Sequence, residues 1–305
     1  MAALGASEVG SRPASPAPRD VLALLKPLTW FPPIWAFGCG VVSSGVAVGE
    51  RWPFLIAGVA LTGPLVCGTS QAVNDWYDRH VDAINEPARP IPSGRIPGRW
   101  GLGIAVAGTC VSLGVAAVTG AWVFAATVLG LMLAWAYSAP PFRLKRSGWW
   151  GPGAVGLSYE GLTWFTGAAV MLGALPDARI LAVLLLYSLG AHGIMTLNDF
   201  KAVEGDRATG VRSLPAVLGV EHAARLACGV MLVPQVAVVV LLATWGLAWH
   251  AAIVGVGLGV QVGLMRRLLG DPLARTPWFQ ATGTGVYVLG MLVSAFGLRL
   301  LGHGT

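Results

Sequence analysis

Residues 74–82 read NDWYDRHVD and residues 198–206 read NDFKAVEGD. Aligned at an offset of 124 residues, the two stretches share Asn, Asp, an aromatic residue and a final Asp at the same four positions. That is an internal repeat, and each copy closes a long apolar run. If the preceding helix continues through the first copy, Asn74, Asp78, Asp82 and Asp75 point at about 0°, 40°, 80° and 100° around its axis. All four share one quadrant. In the second copy Asn198, Asp206 and Asp199 share the same sector, whereas Glu204 points elsewhere unless Gly205 breaks the helix. Two convergent acidic faces repel each other unless a cation sits between them. Mg²⁺ fits that need, because it bridges a few carboxylates to substrate phosphates while keeping some of its water. The candidate ligands are Asp75, Asp78 and Asp82 in the first copy, with Asp199, Glu204 and Asp206 in the second. Paired carboxylate clusters at the ends of apolar segments point to a Mg²⁺-bound diphosphate whose lipid tail runs into a helix bundle.

The surrounding composition fits that reading. Of 305 residues, 55% are hydrophobic and 11% charged, against about a quarter charged in soluble domains. A spanning helix needs roughly 20 apolar residues. Nine stretches qualify in whole or in part: 30–49, 52–73, 101–119, 121–138, 149–174, 178–197, 223–244, 246–265 and 278–300. The expected fold class is an all-α integral membrane protein of nine transmembrane helices, a single domain over 21–305. Residues 1–20, rich in Ala, Pro and Ser and lacking an apolar run, read as a disordered cytoplasmic tail and not a signal peptide.

With the N-terminus in the cytoplasm, the alternate loops 79–99, 143–146, 201–225 and 266–275, together with Arg12, Arg19 and Lys26, hold seventeen of the 20 Lys and Arg residues. Arg51, Arg179 and Arg299 fall outside. This is a positive-inside pattern, and a helix miscounted early in the chain destroys it. The basic residues form no single patch and no nucleic-acid motif, which excludes a nucleic-acid partner. Cys39, Cys67, Cys110 and Cys228 sit singly in separate apolar segments, so neither a zinc site nor a disulfide framework is indicated, and they read as buried thiols. His192 and His250 read as structural histidines.

Lys26, Arg89, Arg95, Arg143, Lys145, Arg146 and Lys201 flank the acidic motifs and are candidates for the diphosphate oxygens. Lys acts as a point charge, whereas Arg grips two oxygens at once. Each also serves as a positive-inside anchor. Glu160, in SYEGLTWFTGA, places a carboxylate inside an apolar helix, a costly position that is commonly functional.

The run NDWYDRHVDAINEPARPIPSGRI at 74–96 resembles the signature of chlorophyll and bacteriochlorophyll synthases within the UbiA-type membrane prenyltransferases. LKPLTWFPPIWAFGCG at 25–40, YSAPPFRLKRSGWWG at 137–151 and NDFKAVEGDRATGVRSLP at 198–215 extend the resemblance over nearly the whole chain. NDxxDxxxD is the general pattern of that superfamily, and the extension DAINEPARPIPSG is the part specific to tetrapyrrole acceptors. The resemblance implies a nine-helix bundle whose central cavity opens near the cytoplasmic side of an inner, photosynthetic membrane. It implies transfer of a geranylgeranyl or phytyl group from its diphosphate to the propionate of a (bacterio)chlorophyllide, releasing pyrophosphate, with pigment–protein assemblies as partners. It further implies that Asn74, Asp78, Asp82, Asp199 and Asp206 organise Mg²⁺ and diphosphate, and that Tyr137 lies among the substrate-binding positions. Glu160 looks like a feature of the bacteriochlorophyll-type enzymes and a contact for the macrocycle. A simple second DxxxD requires an acid at Val203, so either Glu204 or Asp206 completes that cluster.

Other readings are a different prenyl acceptor such as a quinone precursor or haem, a secondary transporter, and a passive pigment-binding protein. NEPARPIPSG disfavours the first. The repeat spans four helices and returns to the same membrane face, unlike the inverted repeats of many transporters. A pigment carrier has no need of two acidic motifs. Reporters fused near residues 90, 145, 210 and 272 are expected on the cytoplasmic side, and external labelling at any two of them rules out the nine-helix topology.

Overall fold

A computed structural model describes residues 15–49 and 51–302. Among these residues the chain is all-helical, its only β pairing being an isolated bridge between Ser147 and Arg212. The expected tail over 1–20 lies mostly outside the described residues. Its end differs from the expectation, because Pro18 opens helix α1 (Pro18–Leu25), which buries Asp20 and Leu24. Proline at the first helical position costs nothing, since that N–H has no intrahelical partner.

Helices form in all nine apolar stretches, with shifted ends. They are α2 (Phe31–Ser43), α3 (Trp52–Asn85), α4 (Trp100–Thr119), α5 (Ala121–Ser138), α6 (150–172), α7 (Ala178–Asn198), α10 (Val220–Thr244), α11 (Ala248–Gly270) and α12 (Pro272–Leu301). The short helices α8 (Val203–Thr209) and α9 (Leu214–Leu218) lie between α7 and α10. Seven are long and apolar enough to cross a membrane: α3, α4, α5, α7 with its extension to Thr209, α10, α11 and α12. At 13 residues α2 is shorter than a span. In α6 the polar run Ser158, Tyr159, Glu160 and Thr163 dilutes the apolar character.

Two helices contain wide π turns, at Leu61–Cys67 in α3 and Leu157–Leu162 in α6. Pro64 sits inside the first. Proline has no N–H and clashes with the carbonyl four residues back, and a wide turn relieves both problems without ending the helix. At 34 residues and 1.5 Å per residue, α3 is about 50 Å long, well beyond a hydrocarbon core of about 30 Å. Its last turns, which carry NDWYDRHVD, therefore emerge at the membrane surface.

Small residues let the helices approach closely. A Cβ at Gly40 of α2 would overlap the Trp164 carbonyl of α6, and one at Gly167 of α6 would overlap the Phe37 carbonyl of α2. The largest core cluster holds Trp164, Tyr187, Met231, Phe279 and Tyr287. A polar chain joins α10, α11 and α12, where Gln235 donates to Gln261 at 2.7 Å and Gln261 to the Gly283 carbonyl at 2.9 Å. Outward-facing Val118, Val233, Trp249, Val256 and Leu289 present the apolar surface that lipid requires. Three of the four cysteines are buried as expected, but Cys110 is exposed. It lies on the outer face of α4, and the sequence showed that the segment is apolar but not which face looks out. His192 is buried, 3.2 Å from the Trp149 carbonyl, and His250 packs beside Gly297.

Gly40→Ala and Gly167→Ala are each expected to lower the thermal unfolding midpoint in detergent, by the equivalent of about 1–3 kcal/mol. Gly38→Ala, where a Cβ meets nothing within 4 Å, should be neutral in the same assay.

Candidate active site

The α-helix runs unbroken through the first acidic motif to Asn85, as the phase argument assumed. Asp75, 1% exposed, accepts hydrogen bonds from Lys26 Nζ at 2.7 Å and Arg89 at 3.4 Å. Arg89 also donates to Asp82 at 2.9 Å and, through two nitrogens, to Glu86 at 2.5 and 2.7 Å. Lys145 Nζ reaches Asp78 at 2.5 Å from the loop after α5. Burial draws the Lys145 ammonium below its ordinary range, opposed by the hydrogen bond and charge of Asp78. Arg89 holds the Glu86 carboxyl below the usual carboxylate range. Asn74 donates to the Ser138 hydroxyl at 3.2 Å.

Lys26 and Arg143 both have left-handed backbones, with φ of 48° and 43°, an uncommon conformation for residues other than glycine. They are the only described non-glycine residues with positive φ, and both are candidate phosphate-binding cations. The Arg143 Nε is buried with no protein partner. Arg95 instead pairs with Asp20 at 2.8 Å, fastening α1 to the loop after α3.

The second motif is built differently. The α-helix stops at Asn198, Asp199–Ala202 form a tighter 3₁₀ turn, and α8 follows. The break thus comes at Asp199 and not at Gly205, which lies inside α8. Glu204 and Lys201 are exposed. Asp206 is held by the buried Ser213, whose hydroxyl donates to it at 2.5 Å. Asp199 and Asp206 repel each other, and Lys201 offsets part of that repulsion.

One loop connects the two motifs. Gly148 N–H donates to the Arg212 carbonyl at 2.8 Å, and Arg212 N–H donates to the Arg146 carbonyl at 2.9 Å. The segment that brings Lys145 to Asp78 is therefore pinned to Arg212, next to Ser213, which holds Asp206. A Cβ at Gly148 would overlap the Leu214 backbone nitrogen, so only glycine permits that approach. Tyr137 lies within electrostatic reach of both Asp78 and Asp199.

Inside the bundle is a cavity of about 650 Å³. Asn74 and Asn198, the first residues of the two motifs, both line it, together with Tyr137 and Glu160. Its walls include Val66, Leu133, Ile194, Met195 and Val288. Lys26, Arg89, Arg95, Lys201 and Glu204 are not part of the lining. Sequence reading missed Gln71, Tyr159, Gln280 and Thr284, which are neutral polar residues in apolar segments. Gln71 falls about one turn before Asn74 on the same helix, the one signal that was available. Gln280 donates to Asn198 at 2.6 Å.

No group of three or more His, Cys, Asp or Glu residues is close enough to hold a metal ion among the described residues. This does not oppose Mg²⁺, which typically takes only one or two carboxylates and completes its shell with phosphate and water. Asp78 and Asp82, with Asp199 and Asp206, are hard oxygen donors of that type.

The sequence profile of the UbiA prenyltransferase family matches residues 29–295. The chain belongs to that family. It is a prenyltransferase, an all-helical membrane protein. The bacteriochlorophyll synthase 33 kDa chain of Cereibacter sphaeroides is 60% identical over 284 residues, covering 93% of this chain and 94% of that one. The protein of the same description from Rhodobacter capsulatus is 55% identical, covering 95% and 96%. The chloroplastic chlorophyll synthase of Oryza sativa subsp. japonica is 38% identical, covering 90% and 75%. A UbiA homolog from Archaeoglobus fulgidus, solved bound to GPP and Mg²⁺, superimposes with a TM-score of 0.69 at 19% identity, over 88% of this chain and 99% of that one. At that identity the likeness concerns the fold.

Asp75→Asn is expected to leave Lys26 and Arg89 short of a counter-charge. It should destabilise the protein by on the order of 2 kcal/mol, less than a fully buried pair because both cations keep some contact with water. Glu86→Gln, on the exposed side of Arg89, should cost well under half as much in the same detergent unfolding assay.

Proposed function

We propose that the protein is a bacteriochlorophyll synthase, which esterifies the propionate of bacteriochlorophyllide with a geranylgeranyl or phytyl group and releases pyrophosphate. The observation that carries the reading is that Asn74 and Asn198, which open two acidic motifs from distant parts of the chain, line one mostly apolar cavity. The names of relatives at 60% and 55% identity support the choice of acceptor. The bundle is read as nine membrane crossings, with α2 and α6 completing the seven long spans. The N-terminus and the acidic motifs then face the cytoplasm from an inner, photosynthetic membrane, and residues 21–305 form one domain.

In this reading Asp78 and Asp82 of the first motif and Asp199 and Asp206 of the second are the residues that would hold Mg²⁺. Asn74 and Asn198 mark the point where the diphosphate meets the cavity. Asp75 serves as the buried charge that fixes Lys26 and Arg89. Lys145, Arg143, Lys26 and Arg89 supply positive charge toward the diphosphate oxygens, Lys145 from its place on Asp78. Glu204 and Lys201, both exposed, contribute at long range, and Arg95 braces the loop. The metal, when bound, stabilises the negative charge that develops on the departing pyrophosphate.

A propionate oxygen forms a bond to the first carbon of the prenyl chain. The bond from that carbon to the diphosphate oxygen breaks, and its electron pair leaves with the pyrophosphate. The attacking carboxylate is already ionised near neutral pH, so no protein base has to remove a proton. What the chain supplies is alignment and exclusion of water, which would otherwise hydrolyse the allylic diphosphate. Tyr137 and Glu160 stand at the cavity wall, where the prenyl chain and the macrocycle edge are held.

Asp78→Asn and Asp206→Asn preserve side-chain size while each removes one negative ligand. In washed membranes given bacteriochlorophyllide and geranylgeranyl diphosphate, pyrophosphate release by each variant should fall by about 10²–10³. Raised Mg²⁺ should restore part of it. Full activity in both variants, or wild-type turnover in excess chelator, rules out the two-cluster site.

A further inference from the structure

The two π turns, in different helices, meet at the cavity wall. Cys67 ends the first and Tyr159 lies in the second, with the Cys67 sulfur 3.3 Å from the Tyr159 hydroxyl oxygen. One turn beyond Cys67, Gln71 donates its side-chain N–H to the same oxygen at 3.2 Å. The Cys67 thiol has a single hydrogen, and the Thr29 carbonyl at 3.4 Å is a second acceptor for it. When that hydrogen points to the phenol oxygen, Cys67 and the Gln71 amide fill both of its lone pairs and leave the phenol's own hydrogen to be offered to a ligand. Thr29, Cys67, Ser70, Gln71 and Tyr159 all line the cavity, so the cluster forms a polar patch on an otherwise mostly apolar wall. A wide turn shifts the side chains that follow it, and such turns are frequent at functional sites.

We propose that Tyr159, oriented by Gln71, is the specificity-determining hydrogen-bond donor for a carbonyl oxygen on the edge of the acceptor macrocycle. The inference rests on the function proposed above and deepens it. Along α3, the segment from Cys67 to Gln71 precedes Asp78 by about two to three turns, roughly 10–16 Å. With its propionate near the acidic motifs, a tetrapyrrole in the cavity directs its far side toward Tyr159. Of the two ketone carbonyls of bacteriochlorophyllide a, the acetyl group lies farther across the macrocycle from the propionate than the ring ketone does. The acetyl oxygen is therefore the assigned partner. It is also a group that a vinyl-substituted acceptor lacks. A site built to hydrogen-bond a substrate group discriminates against analogues without it, because the protein donor is left unpaired.

The test offers bacteriochlorophyllide a and its 3-vinyl counterpart, each with geranylgeranyl diphosphate, to the wild-type chain and to Tyr159→Phe in membranes at matched abundance. The substitution should lower kcat/KM for the acetyl acceptor about five- to tenfold, the worth of one hydrogen bond, and leave the vinyl acceptor nearly unchanged. Gln71→Leu should give a smaller loss of the same selectivity. Resonance Raman spectra of bacteriochlorophyllide a bound to purified full-length chain, without prenyl diphosphate, provide a readout independent of turnover. The acetyl stretch should be lowered in the wild type and return toward its unbonded position in Tyr159→Phe. Equal losses on both acceptors, no loss on either, or an acetyl stretch that stays low in Tyr159→Phe would overturn the role of Tyr159 while leaving the enzyme reading intact. A wild-type chain that esterifies neither pigment removes the function reading and this inference with it.

Discussion

A carboxylate with almost no access to water, placed where a helix leaves the hydrocarbon, persists as a charge only if cations are brought to it. Asp75 is that carboxylate, and it recruits Lys26 from the turn after α1 and Arg89 from the loop after α3. Arg89 in turn spans Asp82 and Glu86. The arrangement explains why Lys26 adopts a left-handed backbone, which costs energy for any residue with a Cβ. It also explains why the loop carrying NEPARPIPSG folds back over the helix end it has just left. The cost of removing Asp75 from water is offset by fixed positive charge, and that charge then stands beside the place where a diphosphate would sit.

The two acidic motifs differ in construction, and the difference follows from what each packs against. The first rides on an uninterrupted helix whose side chains fan out at a fixed pitch. The second runs through a tight turn into a short helix that ends at Gly210, with φ of 69°, so its acids are placed by loop contacts such as Ser213 on Asp206. The pairing of Gly148 and Arg212 couples those contacts to Lys145. Loop 139–149 therefore sets the relative position of both motifs. A repeat in sequence has become a pair of unequal halves held by one strap.

The apolar stretches, the exposed basic loops and the helical phase of NDWYDRHVD were legible because each depends on periodicity or composition alone. The repeat register matched Asn74 with Asn198, and both line a cavity that only the resemblance had implied. What was not legible depends on tertiary approach. The π turns have a sequence hint only in Pro64, and nothing in LSYEGL marks the second. The pairing of Arg95 with Asp20 joins residues 75 positions apart. It also carries helix into the end of a segment whose composition had read as a tail. Gly205 was a plausible helix breaker by propensity, yet the helix ends earlier, and the tight turn at Asp199–Ala202 does what the glycine was expected to do.

The distribution of polar groups also sorts the two ends of a prenyl diphosphate. Cations gather where the acidic motifs leave the bundle, and none of Lys26, Arg89, Arg95 or Lys201 reaches the cavity lining. Within the cavity the acid is Glu160, accompanied by neutral donors and acceptors on Asn74, Gln71, Tyr159, Asn198 and Gln280. A diphosphate moved inward would leave several positive partners and find no Lys or Arg on the cavity wall, whereas its hydrocarbon chain gains by leaving water. The same substrate is thus drawn in opposite directions at its two ends. In the proposed function the reacting carbon, which joins them, sits at the boundary between the carboxylate motifs and the apolar wall, within reach of an acceptor carboxylate.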